Sequence, residues 1–215
     1  MTVSRLPAGI TSGRIDLLCP HQGITVGPAV FRFSRILEAV IARSPYPVIQ
    51  LPGGGTITYT DFSWVQIRLT AQVSPGSLPV DTVLLAVLSL LRDLIPATDL
   101  QCGTVEDAWC PGFTDISFAG QKLAGVGILS RGPEVTANVT FSTLPVPKSI
   151  VETLDHLHLI LGKHVLQSAL TSLSECIDET VEAREAGSRL LACAASLGYT
   201  TGTPEFQETW GGSPL

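Results

Sequence analysis

The stretch that most constrains the fold is residues 114–141, which reads TDISFAGQKLAGVGILSRGPEVTANVTF. Apolar and polar residues alternate along it, and turn residues interrupt it at Ala119-Gly120 and at Arg131-Gly132-Pro133. A period of two, broken by turn residues, predicts two or three paired β-strands. The stretch also carries Lys122, one of only three lysines in the chain, in a run almost free of other charge.

Lys122 has two interpretations. A lysine in a half-buried strand is costly unless its ammonium group meets an anion or a polar ligand. It is therefore either an edge-strand lysine whose side chain extends to solvent, or a residue that faces a pocket and binds a carboxylate, an acyl carbonyl or a phosphate. The sequence alone leaves both open.

Composition excludes several classes of protein. With 45% hydrophobic and 15% charged residues among 215, the chain has enough apolar side chains for a sizeable core. A net charge of −6 without a basic stripe argues against a nucleic-acid partner. The longest apolar run, residues 83–91, is too short to span a bilayer and predicts a buried helix, so no membrane partner is expected.

The cysteines and the N-terminus indicate the compartment. Five cysteines without a C-x-x-C pair are typical of reduced thiols. The first residues, MTVSRLPAGITSGR, lack the apolar segment and cleavage site of a signal peptide. We therefore expect a cytoplasmic protein.

Strand patterns dominate the first two thirds of the chain, and helical patterns close it. Strands are predicted at residues 14–18, 23–26, 47–51, 56–59 and 64–71, the last as a further strand of the same sheet as the two before it. Helices are predicted at residues 31–43, 80–95 and 149–157, with two more within 163–197 broken near 174–178. The prediction is an α+β domain, a mostly antiparallel sheet flanked by helices, over residues 1–198, with a loose C-terminal tail at 199–215.

Three consecutive glycines, Gly53, Gly54 and Gly55, separate two of the predicted strands. A tight hairpin needs only two such residues. The extra glycine either belongs to a plain glycine hairpin or allows the backbone to approach a ligand and present several N–H donors to it.

The order of these motifs resembles the biotin/lipoate protein ligase superfamily, and within it the octanoyl transferases and lipoate–protein ligases. The resemblance rests on GITVG, PGGGTITY, TDISFAGQKLAGVGI, ANVTF and LTSLSE, and it covers residues 17–197. The lysine segment is similar to the N-D…G-R-K-x-x-G motif, and residues 170–173 are similar to V-T-S-L. A biotin ligase is a poorer match, since the chain lacks a G-R-G-R-x-G-like loop.

The resemblance implies a fold, an activity and a set of site residues. It implies a biotin/lipoate protein ligase-like catalytic domain that attaches a lipoyl or octanoyl group to a lysine of a carrier domain. Lys122 would contact the acyl carbonyl and, in a ligase, the adenylate phosphate. The remaining residues implied to bind acyl group or substrate are Gly53, Gly54, Gly55, Thr56, Tyr59, Asp115, Gly125 and Asn138. Asp115 would orient the attacking lysine or the adenylate; a turn-capping carboxylate is the alternative.

Departures from the family pattern leave the mechanism open. Gln50-Leu51-Pro52 stand where ligases have arginines, and residues 158–164 lack the P-C-G cysteine of the common transferases. A second group of transferases has its acyl-thioester cysteine upstream of the lysine segment, where this chain has Cys110. Cys110 is therefore a candidate nucleophile or else a structural thiol, and Cys102 is a weaker candidate.

Two classes of function follow. The first is an enzyme, either a thioester transferase through Cys110 or a ligase that needs ATP and Mg²⁺; no dedicated metal site is encoded. The second is a non-catalytic relative that binds an acyl or lipoyl group, or one subunit of a split lipoate ligase. The expected partners are a lipoyl carrier domain or acyl carrier protein, and lipoate or octanoate. If Lys122 is catalytic, Lys122→Ala is expected to abolish transfer and to leave the fold intact.

Overall fold

Ten β-strands form two sheets in the computed structural model, which describes residues 6–50, 55–95 and 99–202. The strands, in chain order, are β1 Ile10–Leu18, β2 Gly23–Val26, β3 Val48–Gln50, β4 Ile57–Thr60, β5 Trp64–Val73, β6 Leu100–Cys102, β7 Ile116–Phe118, β8 Gln121–Arg131, β9 Glu134–Ser142 and β10 Thr200–Gly202. The large sheet has the order β10-β1-β5-β9-β8-β7-β6, and the small sheet has the order β3-β2-β4.

Pairing is antiparallel at six of the eight strand contacts, which confirms the predicted mostly antiparallel α+β class. The two parallel pairs are β1 with β10 and β2 with β3. One prediction is wrong: the strand starting at Trp64 does not join the sheet of β3 and β4 but lies at the centre of the large sheet. Alternation shows that a strand has two unlike faces, but it does not identify the neighbouring strand.

Helices cover one side of each sheet. Their bounds are α1 Pro28–Phe31, α2 Ser34–Arg43, α3 Pro79–Leu94, α4 Lys148–His158, α5 Leu173–Ile177 and α6 Ala183–Ser196. The larger core lies between the large sheet and the helices α3 and α6. The smaller core joins the small sheet to α2 and α4 and includes Trp64 and Trp109.

Helix α3 shows how the sequence dictates local structure. Pro79 stands at its first turn, where a missing N–H costs nothing, and Asp81 places a carboxylate at the positive end of the helix dipole. Seven of its residues are buried, among them Val83, Val87 and Leu91 at helical spacing. No helix within the described ranges is long and apolar enough to cross a membrane.

Two helix predictions and the tail boundary need correction. The helix predicted at residues 31–43 is divided at Phe33, whose extended backbone separates α1 from α2. Within 163–197 the predicted break is itself a helix, α5, because Ser172 and Glu175 form a capping box that starts a new turn there. Residues 200–202, assigned to the loose tail, form β10 beside β1; residues 203–215 lie outside the described part.

Candidate active site

Lys122 lies at the start of β8, where the large sheet becomes irregular. The register of β7 against β8 shifts between Ile116 and Ser117, so the strand pair is bulged beside the lysine. On its other side, the backbone of Lys122 bridges to Leu170, and its carbonyl accepts the N–H of Thr171 at 3.0 Å. The LTSL segment of the sequence therefore supports the lysine segment directly.

The ammonium group of Lys122 is buried and fully hydrogen-bonded. Its side chain is 1% exposed, and Nζ lies 2.8 Å from the carbonyl oxygen of Trp109, 3.0 Å from that of Cys110 and 2.9 Å from Oδ2 of Asp115. Three acceptors match the three N–H bonds of an ammonium group. The edge-strand alternative is wrong, because the side chain of Lys122 does not extend to solvent.

Asp115 binds both the lysine and its own loop. One oxygen, Oδ2, accepts the N–H of Gly112 at 2.9 Å and also contacts the ammonium of Lys122. Burial raises the pKa of this carboxyl group, and the Lys122 charge and the Gly112 N–H oppose that rise. Asp115 therefore caps a turn, as the alternative interpretation expected, and it also pairs with Lys122. Its role in orienting an attacking lysine or an adenylate stays a prediction.

Cys110 occupies a strained position in the same loop. Its φ is +45°, a left-handed conformation that costs a non-glycine residue on the order of 1–3 kcal/mol. Its Sγ accepts the backbone N–H of Thr56 at 3.0 Å, and its carbonyl accepts from Lys122. The backbone of Cys110 therefore carries the thiol and also binds the ammonium group of Lys122 through its carbonyl oxygen.

The surroundings of Gly55 show why one position of the predicted glycine loop requires glycine. A Cβ added to Gly55 would overlap the Sγ of Cys110, so only glycine allows the backbone to come this close to the thiol. The side-chain oxygen of Thr56, the next residue, is buried and has no hydrogen-bond partner within the described structure. Gly53 and Gly54 lie outside the described residues.

His158 is a site residue that sequence reasoning missed. It is the last residue of α4, its side chain is fully buried, and its Nε2 lies 3.4 Å from the backbone nitrogen of Cys110. Nδ1 lies 2.8 Å from the carbonyl oxygen of Leu154. Burial lowers the pKa of the imidazole, so it is neutral at pH 7. A histidine at the core-facing spacing of a helix was the available signal, one turn beyond Leu154.

Two glycines follow Lys122 in β8, and each leaves space where a larger residue would place its side chain. A Cβ at Gly125 would lie 3.8 Å from Cε and 3.9 Å from Nζ of Lys122, and a Cβ at Gly127 would meet nothing within 4 Å. Asn138 pairs in register with Gly127, and its Oδ1 accepts from Nε of Arg68 at 3.4 Å. The predicted Gly125 therefore adjoins Lys122, while Asn138 lies one strand away.

The remaining candidates are farther from this chemistry. Tyr59 is buried in the smaller core, where its ring packs edge-on against Tyr46 with 5.2 Å between centroids. Burial and Asp61 raise the pKa of Tyr59 to about 12, so its hydroxyl stays protonated. Cys102 lies exposed on the edge strand β6, opposite Ile116.

Two indole rings form one side of the site. Trp109 is buried, packs edge-on against Trp64 with 5.2 Å between ring centroids, and lies 5.7 Å from Nζ of Lys122. Apolar walls lower the local dielectric constant and strengthen the interaction of the ammonium with any nearby oxygen. A thiol, a buried cation and apolar walls together suit chemistry at an acyl carbonyl.

The comparisons with solved structures agree on the architecture. Lipoate-protein ligase A bound with ATP matches with a TM-score of 0.60 at 13% identity, over 92% of this chain and 79% of that one. The bi-partite lipoate protein ligase of Thermoplasma acidophilum matches with a TM-score of 0.58 at 10% identity, over 95% and 79%. LipL1 of P. falciparum, in complex with lipoate, matches with 0.53 at 14%, over 89% and 53%. The chain has the fold of these lipoate protein ligases.

A relative found by sequence similarity is a transferase. An octanoyl-[GcvH]:protein N-octanoyltransferase of Anoxybacillus flavithermus is 24% identical over 114 residues, which is 52% of this chain and 42% of that relative. This chain therefore aligns with less than half of the length of that relative. No protein-family model matches the chain.

The ligase-like fold brings five predicted site residues together: Lys122, Cys110, Asp115, Gly55 and Thr56. Their roles in binding or catalysis stay predictions. The described residues contain no group of three His, Cys, Asp or Glu side chains arranged to hold a metal ion.

Proposed function

We propose that the protein transfers an octanoyl or lipoyl group to a lysine of a carrier-protein domain through a thioester on Cys110. The observation that carries the proposal is that Cys110 is held at two of its atoms. Its carbonyl oxygen accepts a hydrogen bond from the ammonium group of Lys122, and its thiol sulfur accepts one from the N–H of Thr56. The shared fold with lipoate ligases and the similarity to an octanoyltransferase support the acyl group and the acceptor.

The reaction has two balanced steps. In the first, the sulfur of Cys110 attacks the carbonyl carbon of an acyl thioester, and the donor leaves as a free thiol that takes the proton of Cys110. In the second, the amine of the carrier lysine attacks the Cys110 thioester, an amide forms, and a proton returns to the sulfur. Neither step requires an oxidant or ATP.

Lys122 would stabilise charge on the acyl oxygen in both steps. A cation in a water-poor site stabilises a developing oxyanion more strongly than the same cation in water. In the present arrangement its three N–H bonds are occupied by Trp109, Cys110 and Asp115. The acyl oxygen would therefore replace one of the two backbone carbonyls, while Asp115 keeps the ammonium in place.

ATP-dependent ligation is the second candidate, and the ATP-bound lipoate-protein ligase A of the same fold favours it. An adenylate phosphate would be an alternative ligand for Lys122, and the backbone N–H groups of the glycine segment would be additional donors. Mg²⁺ would accompany the nucleotide, supplying charge neutralisation at the phosphates.

Intact-protein mass spectrometry tests the two routes. The protein is incubated with the octanoyl thioester of acyl carrier protein or, separately, with lipoate, ATP and Mg²⁺, in each case with and without a lipoyl carrier domain. The transferase proposal predicts an octanoyl adduct that hydroxylamine removes, that Cys110→Ser prevents, and that forms normally in Cys19→Ser, where an exposed thiol is removed. Carrier modification only with ATP, independent of Cys110, would replace the transferase by the ligase. No adduct and no modified carrier in either mixture would favour a binding role.

A further inference from the structure

The strained backbone of Cys110 needs a partner that holds it. Left-handed backbone at a non-glycine residue persists only where surrounding contacts impose it. Lys122 and Thr56 hold the carbonyl and the sulfur of Cys110, and its N–H faces Nε2 of His158 at 3.4 Å. All three polar groups of this residue are therefore bound from outside its own loop.

The structure determines which tautomer of His158 can do this. The carbonyl of Leu154 is only an acceptor, so Nδ1, 2.8 Å away, carries the hydrogen. In a neutral imidazole the other nitrogen, Nε2, then presents its lone pair. That lone pair faces the N–H of Cys110, which makes the pair a hydrogen bond only while His158 is neutral.

We propose that His158 is a positioning residue for Cys110: its neutral imidazole holds the backbone conformation that keeps the thiol on the Thr56 N–H and the carbonyl on Lys122. This inference deepens the proposed function, on which its transfer readout depends. The ring nitrogens of His158 face the backbone of Cys110 and of Leu154, so its effect is exerted through the backbone of Cys110.

Protonation of His158 would break this arrangement. A hydrogen on Nε2 would point at the N–H of Cys110, so an acceptor would become a second donor. Burial disfavours the proton, Lys163 and Lys122 also disfavour it, and Asp155 favours it. The net result is a lowered pKa, so the hydrogen bond is present at neutral pH and is lost as pH falls through the lowered pKa of His158.

The variants exploit the two histidines of α4. His158→Gln retains a side-chain acceptor near Nε2 but cannot titrate, and His158→Leu removes the acceptor. His156→Gln and His156→Leu are the matched controls, because His156 is exposed on the same helix two residues earlier. Octanoyl transfer to a carrier domain is measured from pH 5 to 8. His158→Leu is expected to lower the rate about tenfold, and His158→Gln to stay within about threefold. His158→Gln should also lack the additional loss at acid pH that protonation of His158 causes in wild type, and both controls should match wild type.

Alkylation of Cys110 by iodoacetamide, followed by peptide mass spectrometry, separates this inference from the proposed function. The ratio of the wild-type rate to the His158→Gln rate cancels any pH dependence that the two proteins share. The inference expects this ratio to be constant above pH 7 and to change as His158 protonates. An alkylation ratio that is constant over the whole pH range in which wild type stays folded, together with a His158→Leu alkylation rate equal to that of wild type, would overturn it, even if no acyl transfer is ever observed. Wild-type transfer kinetics in His158→Leu would overturn it as well, and if that variant does not fold, His158→Gln carries the test.

Discussion

Removal of the Lys122 charge should destabilise the fold before it reveals anything about catalysis. The sequence suggests Lys122→Ala as a clean test of activity, but the ammonium is 1% exposed and paired with Asp115, itself 3% exposed, at 2.9 Å. Loss of one partner of a buried ion pair costs about 3–5 kcal/mol, because the other charge stays buried without compensation. Lys122→Met, which keeps most of the volume, should therefore lower the free energy of unfolding by about that amount. The corresponding fall in melting temperature is roughly 6–20 °C for a chain of this size.

The double variant separates charge from packing. Lys122→Met with Asp115→Asn removes both charges and keeps an oxygen that can accept the N–H of Gly112. The two single variants should each cost more than the double variant, which is the signature of a coupled pair. The double variant is also the appropriate protein for an activity measurement, since its loss of transfer would not be attributable to unfolding.

The pH dependence supplies an independent check. In Lys122→Met, burial raises the pKa of Asp115, and the opposing ammonium is gone. A carboxyl group whose pKa is higher in the folded state than in the unfolded state destabilises the fold at high pH and loses that effect as pH falls through the folded pKa. The stability deficit relative to wild type should thus shrink between pH 8 and pH 5.

Urea unfolding followed by tryptophan fluorescence measures both effects. The denaturation midpoints and slopes at pH 5, 6.5 and 8 give the free energy of unfolding for wild type, the two single variants and the double variant. The reasoning is refuted if the free energy of unfolding of Lys122→Met lies within about 1 kcal/mol of the wild-type value at pH 8 and the difference is the same at pH 5. A buried carboxylate without its counterion should destabilise the fold by more than this.

Four further variants probe the neighbouring structure. Gly125→Ala adds a methyl group in ordinary van der Waals contact with the side chain of Lys122. The free energy of unfolding should therefore change by less than about 0.5 kcal/mol, while the rate of acyl-adduct formation falls about tenfold or more. Gly127→Ala is the control, because its new Cβ has open space around it, and it should match wild type in both assays. Gly55→Ala should displace the thiol of Cys110 and cost roughly 1–3 kcal/mol, measured by urea unfolding and by the alkylation rate of that thiol; an unchanged rate would contradict the close approach. Ser172→Ala removes the capping box of α5 and should cost about 0.5–2 kcal/mol in urea unfolding.

Local signals in the sequence determined the kinds of element and the main site candidates. Alternation predicted β5 and β9, because one face of each strand packs on the larger core and the other does not. It also predicted β8, whose consecutive residues Lys122, Leu123 and Ala124 are instead all buried. An isolated lysine in an apolar strand left two possibilities, an edge residue that reaches solvent or a cation that faces a pocket with a polar partner, because the desolvation of an ammonium group must be compensated wherever it occurs. These inferences depend on neighbours within a few residues.

The tertiary structure decided which distant residues meet. Thr56 reaches Cys110 across 54 positions of sequence, and His158 reaches it across 48. The division into two sheets, the contact of Thr171 with Lys122 and the tautomer of His158 likewise arise from packing between segments that no local pattern connects. Local periodicity reports which face of an element is apolar, but hydrogen bonds between elements depend on register and burial, which only the folded chain specifies.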